Sequence, residues 1–173
     1  MSVRLTHAVI EIERHAAATG WDQPARLFAL VDTEELLARE PQLAAALSTN
    51  EQPVPGGSLT PIEQEDLGDE PLDELLARIE WPAEVLGCAV VVERLMLPPS
   101  AEATLTDLSG TEAGEHVAAH PEREEVRIAV GVLRDGDREC AIRLRSHDDD
   151  LSVVSGADLV PSLAEALAAT LAP

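Results

Sequence analysis

The hydrophobic pattern of the chain is most legible between Glu124 and His147, where two runs alternate apolar with other residues on either side of Asp135-Gly136. A period of two is the mark of half-buried strands, and an Asp-Gly pair between two such runs signals a hairpin. Val126, Ile128, Val130 and Val132 share one face of the first run; Cys140, Ile142 and Leu144 share one face of the second. A two-residue loop would pair even with odd positions and divide the apolar set between the two sides of the sheet. A three-residue loop, Asp135-Gly136-Asp137, keeps the set together. It predicts Val132 opposite Cys140, Val130 opposite Ile142 and Ile128 opposite Leu144, with Asp137 as the left-handed third loop residue. Arg127 then faces Arg145 with Arg143 beside them, and like charges directly opposite destabilise a sheet. An acidic group is expected over these arginines.

Earlier in the chain, Leu5, Ala8, Val9, Ile12 and Ala16 form the stripe of an amphipathic helix over Arg4 to Thr19, ended by Gly20 with Trp21 beyond it. Arg26 to Asp32 reads as a strand with two apolar faces, followed by a start signal at Asp32-Thr33 and a helical pattern over Glu34 to Leu47 that Pro41 interrupts, with a break or kink expected near Glu40. Ser48 to Glu70 is rich in proline, glycine and acids and reads as a flexible loop, with Thr60-Pro61 opening a short turn of helix. Leu72 to Ile79 is a short helix stopped by Trp81-Pro82. Val85 to Leu97 is apolar at both parities until Glu93 and Arg94, the pattern of an interior strand emerging at one end. Glu93 is thus the expected cover for the arginines. Leu151 to Val154 suggests a further short strand. Asp158 is the expected cap of a closing helix striped by Val160, Leu163, Ala164, Leu167 and Leu171, which should pack on the sheet face of Val130 and Ile142.

Strands enclosed by terminal helices, without regular βαβ alternation, predict an α+β fold: an antiparallel sheet of about four strands with the N- and C-terminal helices packed mainly on one face. The chain reads as a single domain over residues 1–173, with an acidic flexible loop at about 48–70 and an irregular connection at about 98–119.

Charge narrows the classes of partner. Across 173 residues, 33 acids meet 12 basic residues, giving a net charge of −21 and a pI near 4.3. Phosphate backbones and anionic membranes are repelled, so neither nucleic acid, by direct charge attraction, nor membrane is an expected partner. A basic protein, or a second copy in a homodimer, is. Every basic residue is arginine, and without lysine the chain cannot supply the amine for a Walker-type phosphate loop, Schiff-base chemistry or pyridoxal phosphate attachment. The amphipathic, acid-containing start reads as a folded helix rather than a signal peptide, and no apolar run approaches a membrane span. Cys88 and Cys140, inside apolar strand patterns and without a CxxC motif, point to reduced, buried thiols and a cytoplasmic location.

Four groups could carry chemistry. His116 and His120 have the i, i+4 spacing of two metal ligands, but Val117 stands where a zincin has its glutamate and Pro121 ends any helix. His147, Asp148 and Asp150 could contribute to a hard-cation shell, although the alternate-residue ligands of an EF-hand are missing. Cys140 near Arg143 could be an activated nucleophile, yet no histidine lies beside it in sequence. The sharpest group is the arginines. From Arg123 to Arg145 six arginines meet five acids, and guanidinium suits carboxylate or phosphate. Arg127, Arg143 and Arg145 are therefore candidate ligand-binding residues, unless neighbouring acids neutralise them.

The stretches His120 to Gly136, Asp158 to Leu171, Ala29 to Ala44 and Trp81 to Pro99 resemble an uncharacterised family of small acidic actinobacterial proteins. The resemblance covers most of the chain outside the two irregular connections and carries no established reaction or ligand. The expected function is a non-enzymatic cytoplasmic interaction or regulatory module with no cofactor. The alternative is a small metal-assisted or arginine-dependent enzyme acting on an anionic ligand.

Overall fold

The computed structural model describes residues 3–43, 57–64, 71–96, 124–157 and 159–171. In chain order its elements are α1 (Val3–Ala18), β1 (Arg26–Asp32), α2 (Thr33–Arg39), β2 (Leu59–Glu63), α3 (Leu72–Arg78), β3 (Gly87–Met96), β4 (Glu124–Leu133), β5 (Arg138–Leu144), β6 (Val154–Gly156) and α4 (Pro161–Thr170). Asp32 caps α2, accepting from the N–H groups of Glu34 and Glu35. That helix ends before Pro41 as the sequence predicts. The cap of α4 is Val160, with no side-chain bond and Pro161 in the first turn; the expected Asp158 lies outside the described residues.

The strands form one open sheet in the order β2-β1-β3-β4-β5-β6, with every pairing antiparallel. Among the described residues it has six strands rather than about four. The reason lies in two short segments. Leu59–Glu63, expected to include a turn of helix, instead pairs with β1, with Pro61 opposite Leu30; an edge strand tolerates a residue without an N–H. The short strand expected over Leu151 to Val154 is found at Val154–Gly156, after a 3₁₀ turn at Asp150–Ser152, and pairs with β5 through only three residues.

Helices cover both faces of the sheet, which corrects the expectation of one covered face. Leu5, Ala8, Val9, Ile12 and Ala16 of α1 pack with Phe28, Leu30, Ala89, Val91, Ala129, Leu133 and Ala141. On the opposite face Leu76 of α3 and Ala164 and Leu167 of α4 pack with Leu27, Cys88, Val90, Val126, Ile128, Val130 and Cys140. The closing helix thus lies where the alternation places it. Both parities of the central strands are apolar because both sides are covered. The face under α1 is built from smaller residues, so the helix comes close to the sheet. A Cβ on Gly131 would meet Val9 Cγ2 at 2.7 Å and Leu5 Cδ1 at 3.1 Å.

The hairpin has a three-residue loop, but it is Arg134-Asp135-Gly136 rather than Asp135-Gly136-Asp137. Leu133 N–H donates to Asp137 O at 2.8 Å and Gly136 N–H to Leu133 O at 3.0 Å. The left-handed residue is Gly136, with φ +99°, because glycine adopts that conformation without the Cβ penalty an aspartate meets. The register follows: Val130 pairs with Cys140, Ile128 with Ile142, Val126 with Leu144, and Arg127 with Arg143 rather than Arg145. Partners move by two positions, so each face keeps the predicted residues. Arg134, freed from pairing, donates to the carbonyls of Val85, Leu171, Trp81 and Pro82, joining the hairpin turn to the end of α4. Gly131→Ala is expected to destabilise the protein by about 1–3 kcal/mol in urea unfolding, since α1 or β4 must shift to admit the methyl group. An unchanged midpoint would contradict the close approach.

Candidate functional site

β4 and β5 carry Arg127 and Arg143 side by side on the face under α1, and both residues are buried. Two adjacent guanidinium groups in a core need anionic or carbonyl partners. Arg143 receives the strongest. Its Nε donates to Glu13 Oε1 at 2.5 Å and its Nη2 to Glu13 Oε2 at 3.0 Å, a two-pronged pair with both side chains buried. Its Nη1 reaches Asp148 Oδ1 at 3.2 Å. Glu13 sits between Ile12 and Ala16 on the buried stripe of α1. The helix therefore brings one carboxylate into an otherwise apolar contact.

Arg127 is covered differently. Its Nη2 donates to Gly20 O, and its guanidinium lies over the Trp21 ring, 4.4 Å from the centroid. Burial pushes its pKa down, opposed chiefly by the charge of Glu93. Glu93 stands directly opposite Arg127 on β3, as an acidic cover should. Its carboxylate, however, accepts from the N–H groups of Asp22 at 2.8 Å and Gln23 at 2.7 Å. Nη1 of Arg127 is buried without a hydrogen-bond partner. It borders a cleft of about 10 Å³ lined also by Thr19, Gln23, Pro24 and Glu93, room for about one water and too little for a phosphate.

Arg145 lies just past β5, in a short 3₁₀ turn over Arg145–His147. It binds both carboxylate oxygens of Asp22, at 2.9 and 3.1 Å, and Glu125 at 2.7 Å. These bonds push its pKa up. Trp21 Nε1 donates to Asp148 Oδ2 at 3.0 Å, which draws the same residue to both Trp21 and Arg143. The segment Gly20–Gln23 thus closes the arginine face, turning sharply at Asp22 with φ +64°.

The three arginines named from sequence are therefore brought together, and five carboxylates, of Glu13, Asp22, Glu93, Glu125 and Asp148, surround them. Sequence reasoning nominated Glu93 alone. Glu13 could have been found as the one acid on the apolar stripe of α1. The role of Trp21 and Asp22 had no local signal, because it depends on how the helix sits on the sheet.

A family model described as PPA1309-like protein matches residues 5–172. The chain belongs to that family. PPA1309-like proteins are uncharacterised, with no known function. No curated protein and no solved structure matches the chain.

The other candidates are placed apart. His116 and His120 lie outside the described residues. His147 is exposed, its Nδ1 3.0 Å from Ser146 Oγ. Asp148 serves the arginine network, and Asp150 opens a 3₁₀ turn over Asp150–Ser152. Among the described residues no group of three or more histidine, cysteine or carboxylate side chains could hold a metal. No helix among them is long and apolar enough to cross a membrane. Cys140 and Arg143 differ in parity and point to opposite faces of β5, so the arginine cannot activate the thiol. Cys88 is free and buried, and burial pushes its thiol up to about 11, well into the unreactive range at neutral pH.

The Arg145 contacts make a pH prediction. Hydrogen bonds from Arg145, and then its charge, hold the Asp22 carboxyl below its ordinary value of 3.8. A carboxylate with a depressed folded-state pKa contributes stability above its unfolded pKa, lost as pH falls through the folded value. An NMR titration should place Asp22 below the ordinary carboxylate range in the native protein and return it there in Arg145→Gln. An ordinary midpoint in the native protein would contradict the pair.

Proposed function

We propose that the protein is a non-enzymatic, cytoplasmic interaction module of actinobacterial origin that takes a basic protein partner on its acidic surface. The observation that carries the proposal is the closure of the arginine face. Arg143 and Arg145 are engaged by Glu13, Asp148, Asp22 and Glu125 and Arg127 by Gly20 O and the Trp21 ring, so this arginine face of the described residues is not offered to an anionic ligand. Glu34, Glu35, Glu74, Glu80, Glu84 and Glu165 are exposed. A net charge of −21 raises the rate of encounter with a cationic surface and opposes anionic ones. Two buried cysteines outside any disulfide suit a reducing compartment.

An arginine-dependent enzyme on an anionic ligand finds less support. Arg127 Nη1 is the one orphaned side-chain group among the buried described residues, and the cleft beside it is too small for such a ligand. Titration of the full chain with polyarginine at low salt should give binding that weakens steeply as salt is added, because the Debye length shrinks to about 8 Å at physiological ionic strength. Absence of binding at low salt would overturn the proposal. So would turnover in a broad substrate screen that one substitution abolishes.

A further inference from the structure

We infer that the outer edge of β6 is the docking strip for this partner, which adds to the sheet as a seventh, extended strand. The inference rests on the reading above for the partner's charge, and on the sheet's two edges for its shape. An unpaired edge presents a row of N–H and C=O groups that another strand can complete. At the β2 edge Pro61 removes one donor, and Glu63 is tied to Arg26 at 2.6 Å. That edge is blunted. Among the described residues no strand pairs with the outer side of β6, and Val154-Ser155-Gly156 has neither a proline nor a charge.

Apolar surface lies on both sides of the unblunted edge. Leu151 is 99% exposed, Val154 54% and Leu159 38%, and the Leu159 side chain lies against Gly156, on the same face as Val154. On the α1 side a groove of about 90 Å³ is lined by Ile10, Glu13, Arg14, Val153 and Ser155. Single exposed apolar residues are ordinary, but Val154 and Leu159 sit together on one face of the edge and the groove lies on the other. A strand laid along β6 would send alternate side chains to the two faces. One set meets the groove and the other meets Val154 and Leu159.

Charge selects the occupant. The turn leading into β6 carries Asp148, Asp149 and Asp150, and Asp149 is exposed. A second copy would bring the same acids and another net charge of −21, adding repulsion to the contact. An extended segment of another protein, alternating apolar residues and ending in arginine or lysine, fits both the patch and the tip.

Two labelled peptides of about nine residues test this on the full chain. One alternates valine with threonine and ends in two arginines; the other is the same sequence with its central residue replaced by proline. The first should bind at least about tenfold more tightly, because proline removes a ladder donor and cannot continue the strand. Val154→Lys should weaken its binding by a similar factor, and Ile62→Lys on the β2 edge should not. If circular dichroism shows that Val154→Lys does not fold, Leu151→Lys takes its place. Native amide exchange at residues 154–156 should slow when the first peptide is bound. Equal binding of both peptides, or indifference to the β6 variants, overturns the docking strip while leaving the basic-partner reading intact. Failure of both peptides while polyarginine binds has the same meaning. Failure of polyarginine as well removes the underlying reading. A concentration-dependent dimer that Val154→Lys dissociates assigns the edge to a second copy and overturns the inference.

Discussion

The buried pair between Glu13 and Arg143 is the contact on which the α1 face of the protein depends. Removing two charges from water is expensive, and their attraction repays it only with good geometry and further hydrogen bonds. Both conditions are met, by the two-pronged contact and by Asp148 on the remaining nitrogen. The pair specifies position as much as it stabilises. Leu5, Val9 and Ile12 alone could slide over a face made of Ala89, Ala129 and Ala141, since apolar contact is not directional. A carboxylate that must meet one guanidinium fixes both the rotation and the height of the helix.

That placement decides what happens at the end of α1. Gly20 arrives over Arg127, Trp21 over Arg127 and Arg145, and the next two N–H groups reach Glu93. The unfavourable neighbourhood of Arg127 and Arg143 is thereby resolved by the turn following the helix. Arg127 and Arg143 are turned inward, and Arg145, which stays exposed, is paired with Asp22 and Glu125.

Much of this was legible in the sequence, for physical reasons. The strands β4 and β5 and the helices α1 and α4 have strong periodicity, and β1 and β3 are short continuous apolar runs bounded by turn residues. The parity argument found the correct faces of the hairpin even though the register was displaced by two, because parity is set by burial whereas register is set by which loop residue is left-handed. Gly136 took that place, and Asp137 did not. The edge strand β2 was obscured by its shortness and by Pro61, and the short strand expected over Leu151 to Val154 lies at Val154–Gly156 instead, because an apolar pattern so brief does not fix its bounds. A covered second face was likewise hidden: β4 places Arg127 on it, and a buried arginine looks exposed until its partner is known. The arginines were identified from their spacing, and the need for acids from their charge. Which acids they would be depended on tertiary packing.

The most direct test is a double-mutant cycle on Glu13 and Arg143 read by urea unfolding. Glu13→Leu and Arg143→Met should each cost about 3–5 kcal/mol, because each leaves one buried charge without its partner. The double variant should recover most of that loss, giving a coupling of at least about 2 kcal/mol. Additive losses, with no coupling between the two positions, would show that the pair does not hold α1 on the sheet and would contradict the account.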